Sequence, residues 1–185
     1  MTDNILEYYA TEPVHISQYK GEFTELLKLF KLRNPEKVLE LGTHYGGTLY
    51  QWIKNSSSDT TIVTVDDYQL NQDQYEGWLK NGQHLFTHLG KTQDKNIVDA
   101  VRTLGPYDFI FVDADHSYAG VKADWEVYGN MTRKGSLVAF HDVLPYKNTE
   151  VDQLWREIKD HYTHWEFIED PTQAGCGIGV ILIEG

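Results

Sequence analysis

Residues 38–52 read VLELGTHYGGTLYQW, an apolar run that passes through glycines into a stretch of helical spacing. Val38 to Leu41 suffice for a buried strand. Gly42, Gly46 and Gly47 let the backbone turn tightly, and a helix beginning near Thr48 would present free N–H groups to an anion. A dinucleotide-binding turn would place glycine at position 44 so that a pyrophosphate could approach the backbone, but His44 stands there. The stretch therefore reads as the first strand, ligand turn and helix of an α/β domain; His44 argues against a pyrophosphate ligand, and a plain strand–helix turn is the alternative.

The same alternation continues outward. Further strands are expected at Thr61 to Val65, Leu85 to His88, Asp108 to Val112, Ser136 to Phe140, Trp165 to Ile168 and Gly179 to Ile183. Between them, Val98, Val101 and Leu104 mark one helical stripe, Tyr118, Val121, Trp125 and Tyr128 a second, and Val151, Leu154, Trp155 and Ile158 a third. Phe23, Leu26, Leu27 and Phe30 form another before the first strand, closed off by Pro35. Ser117 and Thr149 stand where N-caps belong, and Asn81-Gly82 reads as a helix stop. Such alternation predicts right-handed crossovers and a mostly parallel sheet covered on both faces, a three-layer α/β/α fold. Only about ten residues separate Ile168 from Gly179, too few for a parallel crossover, so the last of the seven strands should run antiparallel.

The chain of 185 residues is the size of one domain, and no composition shift or linker divides it. Its 16 Lys and Arg against 28 Asp and Glu give a formal charge of −12, which disfavours a nucleic-acid partner and suits a cationic ligand. The longest apolar stretch, Ile178 to Ile183, is far short of the roughly 20 residues of a membrane span, so no membrane partner is expected. A single cysteine, Cys176, and an N-terminus without secretory character point to a cytoplasmic location.

Ligands of open α/β sheets bind beyond the carboxyl ends of the strands. The second strand ends in TVDDY, with Asp66 placed 24 residues after Gly42, where an acidic side chain can hold ribose hydroxyls; capping of the following loop is the alternative. The fourth strand ends in FVDADHSY and the fifth in AFHDV, so Asp113, Asp115, His116, His141 and Asp142 converge if the two strands are neighbours. Such a cluster calls for a cation, a base role or a helix cap. The structural alternative pairs Asp115 with Ser117 as a cap and His141 with Asp113. Tyr45, Tyr68 and Tyr146 are exposed aromatic candidates for an acceptor pocket, or simply packing residues.

With these motifs, from about Gly21 to Gly185, the sequence resembles class I S-adenosylmethionine-dependent methyltransferases. It is most similar to the metal-assisted catechol and caffeoyl-coenzyme A O-methyltransferases and to small methyltransferase domains with Asp-x-Asp-His-x-Tyr and His-Asp motifs. The resemblance implies a Rossmann-like class I methyltransferase fold spanning residues 1–185 as one domain, with 1–36 as an N-terminal helical extension. It implies that Glu40 braces the cofactor turn, that Gly42, Thr43 and Gly46 belong to the cofactor loop, and that Thr48 meets the methionine carboxylate. Asp66 would hold the ribose, and Gly90, Thr92 and Gln93 of GKTQD the adenine. Asp113 would sit beside the sulfonium and bind a divalent metal such as Mg2+ with His141 and Asp142, and His116 would replace the family's lysine base. His141-Asp142 replaces the Asp-Asn of the catechol type, a departure that bears on metal preference or on whether a metal binds.

The expected activity is O-methylation of a small-molecule hydroxyl on a sugar, polyol or catechol, with divalent-metal assistance or with a metal-free histidine base. Catalysis would fall to Asp113, His116 and His141. A non-catalytic cofactor-binding module and a nicotinamide-dependent oxidoreductase stay open, although the latter leaves His44 and the antiparallel ending unexplained. The short segment after Asp142 leaves little lid, and a homodimer would complete the pocket.

Overall fold

The computed structural model describes residues 14–68 and 71–185. The first part of the expected 1–36 extension, residues 1–13, lies outside the described residues; its remainder contains α1 (Lys20–Arg33). There follow β1 (Lys37–Leu41), α2 (Gly47–Asn55), β2 (Thr61–Asp66), α3 (Tyr75–Trp78), β3 (His84–Leu89), α4 (Lys95–Leu104) and β4 (Tyr107–Val112). Then come α5 (Tyr118–Tyr128), β5 (Thr132–His141), α6 (Val151–Ile158), β6 (Thr163–Phe167) and β7 (Ile178–Leu182). The strands form one seven-stranded sheet in the order β3-β2-β1-β4-β5-β7-β6. β1 to β5 pair in parallel, and β7 runs antiparallel to both β5 and β6, as the short final connection requires.

Each central strand is buried on both faces, and its period of two divides the core. Val38, Phe109, Phe111, Leu137 and Ala139 face one layer with Phe23, Leu26, Phe30 and Trp52 of α1 and α2. Leu39, Leu41, Ile110, Val112, Val138 and Phe140 face the other, with Val101, Val121, Leu154 and Trp155 of α4, α5 and α6. The three expected layers are therefore present. The aromatic stripes are core faces: Phe30, Trp52 and Phe109 pack with ring centroids 4.9–5.0 Å apart.

Two local expectations are corrected. Ser117 caps α5 through its hydroxyl, which accepts from Gly120 N, but α6 is preceded by Glu150, and the buried Thr149 hydroxyl makes no cap. α3 ends at Trp78, so Asn81-Gly82 forms a separate turn ahead of β3 rather than a helix stop. α1 is closed off at Pro35 as expected, with Asn34 as its C-cap in the left-handed region, φ 46°.

Adjacent β1 and β4 lead to connections on opposite faces of the sheet, which opens a crevice above their carboxyl ends. Gly42 makes this junction. Its φ is +88°, and a Cβ there would lie 2.0 Å from the Asp113 carbonyl oxygen, so the two strand ends can meet only at a glycine.

Candidate functional site

Above that junction lies a cavity of about 710 Å³. Gly42, Thr43, Thr48, Asp66, Gly90, Thr92, Gln93, Asp113, His116, His141 and Asp142 all line it, so residues from the ends of β1 to β5 meet as their spacing anticipated. Glu40 and Gly46 do not line it. Gly46 is the N-cap of α2, packed against the Tyr75 ring. Glu40 lies beneath the floor, fully buried on β1, where its Oε1 accepts from Thr48 Oγ1 at 2.5 Å and Trp52 Nε1 at 2.9 Å. Burial outweighs these bonds and raises its pKa to about 8. Glu40 thus ties the first turn of α2 to β1.

Asp66 has two occupations. Its Oδ2 accepts from the backbone N–H of Thr43 and, at 2.7 Å, of His44; its Oδ1 accepts from Tyr68 N at 2.7 Å. The carboxylate therefore holds the glycine turn against the β2 end while still lining the cavity. Loop capping and ligand contact are compatible here, because a carboxylate offers about four acceptor positions.

At the β4 and β5 ends, carboxylates and imidazoles are interleaved. Asp113 Oδ1 lies 3.1 Å from His116 Nε2 and 3.2 Å from His141 Nδ1. His116 Nδ1 is 3.6 Å from Asp142 Oδ2, and His141 Nδ1 is 3.5 Å from Asp142 Oδ1. Burial would raise the Asp113 carboxyl, but the two imidazoles outweigh it and hold it at about 2. The bond to Asp113 raises the His116 pKa against its own burial. Burial opposes charge on His141, yet Asp113, Cys176 and Asp142 together raise it well above the ordinary histidine value. The capping alternative holds at the same time, since Asp115 Oδ1 accepts from Ser117 N at 2.9 Å.

Donor atoms of Asp113, His116 and Asp142 lie within 4.8 Å of one another, as do those of His141, Asp142 and Cys176. The set expected to hold a metal, Asp113, His141 and Asp142, is thus divided between two overlapping groups. His116, expected as a base, shares donor space with the carboxylates, and Cys176 enters from the β6–β7 loop without any sequence signal.

Other lining residues were not foreseen. His15, Ile16, Ser17 and Gln18 cross the mouth ahead of α1, and His44, Asp67 and Lys91 complete the rim. Of the aromatic candidates, Tyr45 and Tyr68 line the cavity, while Tyr146 packs over Gly175. Asp124 on α5 accepts from Gln93 Nε2 at 2.9 Å, beneath the loop that follows β3. Its carboxyl is raised to about 6 by burial.

The family model for a methyltransferase domain matches residues 39–143, which contain every strand end of the site. Among curated proteins, the chain is 28% identical over 145 residues to "Probable caffeoyl-CoA O-methyltransferase 3" of Dictyostelium discoideum, covering 75% of this chain and 55% of that protein. It is 33% identical over 107 residues to the ribosomal RNA large subunit methyltransferase E of Treponema denticola, covering 57% of this chain and 50% of that protein. The chain therefore spans about half the length of these curated relatives. Among solved structures, the O-methyltransferase TomG of Streptomyces achromogenes, in complex with SAM, superposes with a TM-score of 0.71 at 18% identity, covering 100% of this chain and 88% of that one. The methyltransferase MycE, in complex with Mg, SAH and mycinamycin VI, gives 0.68 at 16% identity, covering 99% and 54%. The neighbours share the fold, and the family match places this chain among the methyltransferase domains.

Proposed function

We propose that the chain transfers a methyl group from S-adenosylmethionine to a hydroxyl of a small polar acceptor. One observation carries this reading: the glycine turn, Asp66, the 90–93 loop and the Asp113 cluster line a single cavity at the switch point of the sheet. The start of α2 suits the donor's carboxylate, Asp66 the ribose, and Thr92 and Gln93 the adenine, an arrangement that would place the sulfonium beside Asp113.

Charge supports the same ligand. Asp66, Asp67, Asp113, Asp115 and Asp142 line the cavity against one lysine, Lys91, among the described residues. That field favours a sulfonium and disfavours phosphate-bearing acceptors. Around His116, His141 and Asp142 the lining is polar, which favours a sugar or polyol hydroxyl over a catechol.

The bound donor supplies an electrophilic methyl group, so the protein must align an oxygen with it and remove that oxygen's proton. Asp113 anchors both imidazoles through one oxygen and fixes their orientation. His116 takes the proton: its Nδ1 contact to Asp142, at 3.6 Å, is the longer of its two and the one a hydroxyl can enter. His141, buried on β5, holds Asp113 ionised.

The donor atoms gathered within 4.8 Å support a second reading, in which a divalent ion would be held by Asp113, His116 and Asp142. Such an ion would lower the hydroxyl's pKa. Mixed nitrogen and oxygen donors suit Mn, Fe, Co or Zn better than Mg.

Labelled-methyl transfer to a panel of sugars, polyols and catechols, with and without chelator, tests both readings. His116→Ala should lower kcat by about 10²–10⁴-fold while S-adenosylhomocysteine still binds. Absence of transfer across the panel despite cofactor binding would reject the enzyme reading. Full activity after chelation would reject the metal.

A further inference from the structure

Residues 15–18 form a strap that lines the crevice ahead of α1. A Cβ built on Gly47 would fall 2.1 Å from the His15 carbonyl oxygen, so the strap's backbone lies directly on the first turn of α2. Three residues later it reaches β4: Gln18 Nε2 donates to Asp113 Oδ2 at 2.7 Å, across 95 residues of sequence. The Asp113 carboxylate is thereby divided, with Oδ1 turned to the two imidazoles and Oδ2 to the strap.

The other end of the Gln18 amide is unmatched. Gln18 is 8% exposed and lines the cavity, and its Oε1 is buried with no partner among the described residues. A flipped amide would set its oxygen against a carboxylate, so the bond to Asp113 fixes Oε1 as the free acceptor. A buried acceptor left unmatched costs free energy, and a donor group on a ligand filling the cavity would recover it.

The position of the strap identifies that donor. It connects the start of α2, which favours a carboxylate, with Asp113, beside the expected sulfonium. An S-adenosyl ligand bound as proposed would place its amino-acid end between these two points, and its α-ammonium would need an acceptor. We infer that Gln18 Oε1 accepts a hydrogen bond from the donor's α-ammonium, making Gln18 a donor-binding residue that couples the amino-acid end of the ligand to Asp113. This inference rests on the reading of the crevice as an S-adenosylmethionine site.

Two ligands separate it from a structural role. S-adenosylhomocysteine carries the amino-acid end, whereas 5′-methylthioadenosine keeps the adenosine and sulfur without it. In calorimetric titrations of the full chain, Gln18→Leu should weaken S-adenosylhomocysteine by about tenfold or more and leave 5′-methylthioadenosine within about twofold. Gln18→Asn, with an amide too short to reach both partners, should show the same selective loss and serves if the leucine variant does not fold. Equal weakening of both ligands would assign Gln18 a packing role and overturn the inference, as would unchanged S-adenosylhomocysteine affinity. If the unaltered chain bound neither ligand, the donor-site reading itself would fall, and this inference with it.

Discussion

Glu40 on β1 and Gly42 just past its end set the geometry of the crevice by different means. Glu40 is a buried carboxyl whose folded pKa of about 8 lies far above its ordinary 4.5. Between those values the folded state keeps a proton that the unfolded chain gives up, so this residue's contribution to stability is intact below pH 4.5 and is lost as pH rises through 8. Glu40→Gln stays neutral and retains an acceptor for Thr48 and Trp52. It should flatten the stability profile and gain on the order of a few kcal/mol over the unaltered chain at pH 8. Denaturant titrations at pH 5 and pH 8 check this, and parallel profiles would contradict it. Gly42→Ala would force a Cβ to 2.0 Å from the Asp113 carbonyl oxygen at a φ of +88°. Thermal unfolding should show a loss of several kcal/mol, and an unchanged midpoint would mean that the β1–β4 junction yields easily. At this scale the strand-end residues were legible, because each follows an apolar run that locates it. Gln18 was not: its meaning comes from Asp113, 95 residues away, and no local pattern connects them.

Elements position these residues through contacts between them. α5 carries Asp124 under the 90–93 loop, where it accepts from Gln93, while Tyr128 of the same helix donates its hydroxyl to Thr92 O at 2.5 Å. The helix therefore sets the shape of the loop expected to meet adenine. Asp124→Leu should weaken adenosine and S-adenosylhomocysteine alike, by about tenfold, and equal affinities in calorimetry would exclude that role. The sequence signalled α5 through its stripe and its Ser117 cap, but it gave no reason to read Asp124 as more than a polar residue on a core helix. β5 shows another limit. It begins at Thr132, five residues before the apolar run at Leu137, because Thr132 pairs with Tyr107 of β4 ahead of a register shift. Hydrophobic alternation marks where a strand is buried, not where its backbone pairing starts.

At the scale of the molecule, chain order and crossover length were enough to anticipate a parallel sheet with an antiparallel ending. The order β3-β2-β1-β4-β5-β7-β6 then brings β4 and β5 side by side, which turns two Asp/His strand ends into one cluster. Adjacency of this kind is a property of topology, and the sequence offered it only as a condition. No helix among the described residues is long and apolar enough to cross a membrane. At the opposite end of the sheet a second cavity of about 690 Å³ is lined by Trp125, Thr132, Tyr162 and Glu184, away from the glycine turn and the imidazoles.

Titration of S-adenosylhomocysteine into the full chain, followed by backbone amide shifts, is the most direct test of where the ligand lies. Saturable one-to-one binding should perturb Gly42, Thr43, Gly90, Gln93 and Asp113 together and leave Trp125 and Tyr162 unchanged. Absence of saturation, or perturbation confined to the opposite cavity, would contradict the account.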